Sequence, residues 1–280
     1  MKWRGRRESS NVEDRRGMRG TAVVGGGIGT VVIALVVLFL GGDPSDLLGA
    51  ITGGETSQSQ PYEETEQERE LADFVAVVLA DTEDVWSDVF TEEGMTYQDP
   101  TLVMYTGSVQ SACGSASSAV GPFYCPGDEK LYIDLSFYDE LKNKFQAPGD
   151  FAMAYVIAHE VGHHIQKQLG TSDKMNALRN RLSTEEYNKY SVRLELQADY
   201  YAGVWAGRAK QQNLLEEGDL EEALTAASAV GDDTIQKRSQ GYVVPESFTH
   251  GTSKQRQDWF YKGVKNGTIE GGNTFEGLNF

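Results

Sequence analysis

Three of the four histidines in this 280-residue chain crowd into AYVIAHEVGHHIQKQ, Ala154 to Gln168. His159 and His163 stand four apart, so on a helix both imidazoles leave one face a single turn apart and can grip one metal ion. Glu160, between them in HEVGH, is placed to reach a water on that metal rather than the metal itself. His164 points about 140° away from His159 and cannot share the ion, so it is expected behind the ligands or facing solvent. Val156, Ile157, Val161 and Ile165 surround the motif with aliphatic side chains, which suits a buried helix with one polar face opening into a cleft. Two imidazoles in such a setting without a metal would leave ring nitrogens seeking partners.

A catalytic zinc normally takes three protein ligands and leaves a position open. RLELQADYYAG supplies a candidate: Glu195 and Asp199 are again i, i+4, and Ala198, Ala202 and Gly203 beside them favour close helix contact. Glu195 can complete the ligand set, while Asp199 can accept the outward N–H of a ligating histidine and fix its tautomer. The plainer alternative is a pair of solvated carboxylates, common among 42 acidic residues.

These residues need a scaffold, and the patterning describes one. Leu71, Phe74, Val75, Val78, Leu79, Val85, Trp86, Val89 and Phe90 form a helical stripe ending before Gly94. Pro100–Gly107 and Lys130–Tyr138 read as strands, the second alternating and a candidate edge for pairing with extended substrate. The small, turn-forming residues between them read as an exposed loop, in which Cys113 and Cys125 are expected to pair in an oxidising compartment. After Pro148 come four helical patterns: 151–169, one from the Ser183/Glu186 capping box to about Leu215, one capped by Asp219 and Glu222, and one from Thr252/Gln255 to about Gly267. Strands first and helices afterwards make an α+β domain.

Ahead of that domain, residues 1–20 carry seven Lys and Arg against three acidic residues, and 21–40 carry no charge. Twenty uncharged residues are about enough to cross the hydrocarbon core as a helix, longer than the apolar part of a cleaved signal peptide. The expected organisation is a basic cytoplasmic tail over 1–20, a single transmembrane helix over 21–41, a flexible linker over 42–62 and an extracytoplasmic domain over 63–280, with the basic flank setting the direction. Gly25 and Gly29 form a GxxxG that would let two such helices approach. Of the formal charge of −17, residues 1–20 contribute +4 and residues 41–280 therefore −21, which argues against nucleic acid as a partner.

As a set, SACG, GPFYCPGD, YIDLSF, AHEVGHHIQ, LELQADYYAGVWA and FTHGTSKQR resemble the putative neutral zinc metallopeptidase family of bacterial membrane proteins, over essentially the whole chain. HEVGHH followed by ELQAD resembles the broader gluzincins, in which a HExxH helix is joined by a glutamate from a later helix and an aspartate four residues on. The resemblance implies a gluzincin-like fold of a small β-sheet plus active-site helices and one Zn2+ per chain. It also implies a peptide or protein substrate cut by water that Glu160 activates. His250, with Arg256 six residues later, resembles a pair near the active-site cleft of related gluzincins. A donor there could stabilise an oxyanion, or the two could simply organise the last helix. A second function class is a zinc-containing binding or scaffolding domain for envelope or membrane proteins, which would need the ligands but have no use for Glu160 as a base.

Overall fold

The computed structural model describes residues 1–17, 62–278 and 280. Its main sheet has four strands in the order β1-β2-β6-β5, where β1 is Val12–Asp14, β2 Thr101–Tyr105, β5 Phe123–Cys125 and β6 Lys130–Asp134. The first three neighbours run parallel and β5 runs antiparallel to β6. Because side chains alternate across a strand, Leu102, Met104, Leu131 and Ile133 enter the helical core. Val103, Tyr105 and Tyr132 enter a second cluster with Cys125, beneath the hairpin of β3 (Ser108–Ser111) and β4 (Gly114–Ser117).

Eight α-helices complete the described residues: α1 Glu66–Glu92, α2 Phe137–Asn143, α3 Asp150–Gln168, α4 Thr171–Arg179, α5 Thr184–Gln211, α6 Asp219–Ala229, α7 Asp232–Gln240 and α8 Ser253–Asn266. Reciprocal capping boxes start three of them, at Thr65/Glu68, Ser183/Glu186 and Thr252/Gln255. The helix carrying the histidines, α3, packs on α5 and α6, and α5 packs on α8. A Cβ on Gly162 would lie 2.8 Å from the Ala198 carbonyl oxygen, so glycine at this place in HEVGH lets the backbones of α3 and α5 come together. Gly203 serves the α5–α8 contact likewise, its position leaving only 2.0 Å to the Phe260 oxygen.

Several expectations change. The stretch read as a loop before β6 holds the β3–β4 hairpin, β5 and the Cys113–Cys125 disulfide, which joins the hairpin turn to the sheet. The strand expected to reach Tyr138 stops at Asp134, whose carboxylate accepts the N–H groups of Gly107 and Ser136 and turns the chain into α2. β6 is also paired on both sides, so it offers no free edge; the edge strands of this sheet are β1 and β5. Two of the short helices, α4 and α7, lie between the four expected ones. Glu222 does not cap its own helix but accepts the Phe151 N–H at 3.0 Å, at the start of α3, where Gly149 has no side chain to offer.

The single-pass membrane arrangement is corrected. Among the described residues no helix is long and apolar enough to cross a membrane, and the span expected over 21–41, with its Gly25/Gly29 motif, lies outside them, as does the linker up to residue 61. The packing of residues 1–17 overturns the arrangement. They supply β1, pairing Val12 with Leu102 and Asp14 with Met104. Trp3 sits edge-on to Phe74, Arg6 pairs with the buried Asp81, and Arg7 bonds Glu83 at 3.0 Å and Asp84 at 2.8 Å. Arg16 bonds Glu64 at 2.8 Å. One bilayer crossing between Gly17 and Tyr62 would put strand β1 and its sheet on opposite sides of the membrane. Arg4, Arg6 and Arg7, which read as part of a cytoplasmic flank, are partners for the acidic residues of α1.

Candidate metal centre

Helices α3 and α5 face each other across Gly162, which brings together three side chains spread over 36 residues of sequence. The Nε2 of His159 lies 3.2 Å from Glu195 Oε2, and the Nε2 of His163 lies 3.5 Å from Glu195 Oε1. The rings stand nearly perpendicular, centroids 4.9 Å apart. One ligand atom from each of the three residues falls within 4.8 Å of the others, close enough to share a cation. Two imidazole nitrogens and a carboxylate are a donor set suited to catalytic zinc.

The far side of each ring is held by a different group. Asp199 Oδ1 lies 2.9 Å from His159 Nδ1, and this carboxylate also takes the Tyr155 hydroxyl at 2.5 Å and the Arg256 guanidinium, Nε to Oδ2 at 2.8 Å. His163 Nδ1 instead meets the amide oxygen of Gln166 at 2.9 Å. Both Nε2 atoms are thereby turned toward Glu195.

Charge follows from these contacts. Burial works against an ionised Asp199, but Arg256 and His159 outweigh it and hold the carboxyl at about 2. Burial likewise opposes a charged His159, yet Asp199 and Glu195 raise its pKa to about 9. His163 is raised against its own burial by Glu195, and Glu195 falls well below the usual carboxylate range beside the two rings despite its desolvation. Glu160 differs from all of these. Its carboxyl is pushed up by burial, only partly offset by the histidines, and it makes no hydrogen bond to a described residue.

His250 approaches from the segment between α7 and α8. Gly251 beside it packs against α5 on either side of Glu195: a Cβ there would lie 3.2 Å from Val192 Cγ1 and 3.4 Å from Leu196 Cδ2. Asp232, 1% exposed, fixes this segment by accepting the N–H groups of Thr249, His250 and Gly251 at 2.7–2.9 Å, with His250 Nδ1 at 3.2 Å. The His250 side chain remains 40% exposed. Burial lowers its affinity for a proton, but Asp232 and Glu195 prevail and raise it.

His164 is neither solvent-facing nor behind a ligand. It is buried between Tyr97 and Tyr124, with Nδ1 3.0 Å from the Tyr124 hydroxyl and Nε2 2.7 Å from the Gln98 oxygen. Burial lowers its pKa, and its work is to tie α3 to β5. Tyr155, Gln166 and Asp232 escaped the sequence reading. Tyr155 is four residues before His159 and Gln166 three after His163, so helical spacing could have found both. Nothing local to DDT marks Asp232, because its partners are 17 to 19 residues away.

A family model described as "Putative neutral zinc metallopeptidase" matches residues 1–275. The chain belongs to that family. The match begins at residue 1 and so takes in the segment that forms β1. The Escherichia coli K12 protein YpfJ is 52% identical over 283 residues, covering 98% of this chain and 99% of its own. Mb2605 of Mycobacterium bovis and Rv2575 of Mycobacterium tuberculosis H37Rv are each 43% identical over 182 residues, 61% of this chain and 60% of theirs. No solved structure matches.

Proposed function

We propose that the protein is a zinc-dependent peptidase, with His159, His163 and Glu195 as the metal ligands and Glu160 as the general base. The observation that carries this reading is the convergence of two ring Nε2 atoms on one carboxylate while both Nδ1 atoms are occupied elsewhere. Zinc bound there supplies a Lewis acid and brings the pKa of a water toward about 7. Asp199 and Gln166 keep the two imidazoles oriented as ligands through their Nδ1 atoms. Glu160, without a competing partner and with its proton affinity raised by burial, takes the proton of the attacking water and delivers it to the leaving amine. His250, anchored through Nδ1 to Asp232, has Nε2 available to donate to the substrate carbonyl oxygen as negative charge develops. Extended substrate would pair with β5, the edge strand that Tyr124 and His164 join to α3.

Glu160→Gln separates a hydrolase from a scaffold that needs metal but no base. The variant is expected to keep stoichiometric zinc, measured by atomic emission, and to lose peptide cleavage, measured against a peptide library by mass spectrometry. Cleavage by the variant at the parent rate would overturn the mechanism, and no cleavage by either protein across the library would favour the scaffold.

A further inference from the structure

The two imidazoles of the metal centre are supported by different groups: His159 by the carboxylate of Asp199, a residue of α5 itself, and His163 by the amide of Gln166 on its own helix. Gln166 is fully buried. Its Nε2 donates to the carbonyl oxygen of Leu194 at 2.6 Å and to Gln197 Oε1 at 3.2 Å, while its Oε1 lies 2.9 Å from His163 Nδ1. Leu194 is the residue before Glu195. One amide therefore joins the second imidazole to the backbone that carries the third ligand. Gln197 continues the connection by donating to the Gly272 oxygen at 2.8 Å.

The direction of the amide is settled by its partners. Reversing it would set an oxygen against the Leu194 carbonyl oxygen, so the nitrogen must face α5 and the oxygen must face His163. An oxygen there can only accept, so neutral His163 must carry its proton on Nδ1, leaving the Nε2 lone pair free. We propose that Gln166 is a positioning residue of the metal centre: its amide selects the Nδ1–H form of His163 and sets that ring's distance from Glu195 by bonding the α5 backbone. The proposal rests on the metal-site reading above. It requires an amide specifically. A carboxylate at position 166 would accept from His163 but could not donate to Leu194, and an aliphatic side chain could do neither.

Gln166→Leu and Gln166→Glu test it by two readouts. Zinc affinity is measured by competition with a chromophoric chelator on the full chain. Gln166→Leu is expected to bind about 10–100-fold more weakly than the parent, the usual loss when a ligand's hydrogen-bond partner is removed. Gln166→Glu, which keeps one of the two contacts, is expected to fall between them. Nitrogen-15 imidazole spectra of the metal-free chain, at a pH where the ring is neutral, are expected to show His163 protonated at Nδ1 in the parent and to lose that preference in Gln166→Leu. Thermal unfolding of the metal-free proteins separates both effects from a general loss of fold. If Gln166→Leu does not fold, Gln166→Glu decides by the same measurements. Zinc affinity within twofold of the parent in a folded variant, or His163 protonated at Nε2 in the parent, would overturn the proposal. A parent that binds no zinc sinks the peptidase reading instead, and the imidazole spectra still judge Gln166.

Discussion

Helix α3 carries two groups of side chains that could each surround a cation. At its start Asp150 meets Asp219 and Glu222, and in its middle His159 and His163 meet Glu195; in both, the three ligand atoms lie within 4.8 Å. The first group already holds a positive charge, since the Met1 ammonium lies 2.9 Å from Asp150, 3.4 Å from Asp219 and 3.2 Å from nearby Glu216. Burial opposes that ammonium, but Asp150 leads the carboxylates that raise its pKa. In the second group the positive Arg256 is bound to Asp199, with its Nη2 also 3.3–3.4 Å from the His159 ring nitrogens, and among the described residues Glu195 pairs only with the two imidazoles. Closeness of acidic groups is thus a poor guide to a metal. What separates the two is whether a protein cation satisfies the carboxylates and whether other groups turn the donor lone pairs inward.

The largest test of this contrast is to remove one carboxylate from each group. Glu195→Ala is expected to lose stoichiometric zinc and all cleavage, whereas Asp219→Ala is expected to keep a full equivalent of zinc by atomic emission. Equal zinc in both variants would erase the distinction. Next in size, Arg256→Met leaves Asp199 buried without its guanidinium and is expected to cost about 3–5 kcal/mol in urea unfolding. Adding Asp199→Asn should recover part of that loss.

Acid sharpens the same point. Asp199 is held at about 2 against an ordinary value of 3.8, so its stabilisation is complete above the ordinary value and disappears as pH falls through about 2. The metal-free parent should therefore lose about 2 kcal/mol between pH 4 and pH 2 that Asp199→Asn does not lose, read from urea midpoints. The smallest effect is expected at the other group. Gly149 has φ +114° and a Cβ there would lie 2.0 Å from the Glu222 carboxyl carbon, so Gly149→Ala should cost about 1–3 kcal/mol while zinc content stays unchanged.

The legible parts of the sequence were those carried by short-range spacing. The α1 stripe, the helix bearing HEVGH and the capping boxes at Ser183 and Thr252 each need only residues within a few positions, and all are present. Glu195 and Asp199 were readable as a pair for the same reason, but their distance from the histidines depends on Gly162 and Ala198, which meet only in the folded chain. Two of the errors share one cause, which is that a partner lay far away. Arg6 read as part of a membrane flank because its partner, the buried Asp81, stands 75 residues away. Glu222 read as a cap for the nearest helix, yet the N–H it accepts is 71 residues back. β5 is three residues long and pairs with β6 across the short turn at 126–129, a pattern too short for alternation to reveal.

Gly17 and Tyr62 touch: a Cβ on the glycine would stand 2.8 Å from that of the tyrosine, and the Arg16 guanidinium lies 6.0 Å from the tyrosine ring. A shortened gene in which a few glycines and serines splice these two positions should therefore yield a protein that keeps β1 seated, the ion pairs of residues 1–17 intact and the cluster of His159, His163 and Glu195 undisturbed. Such a minimal version would be a convenient starting point for crystallisation.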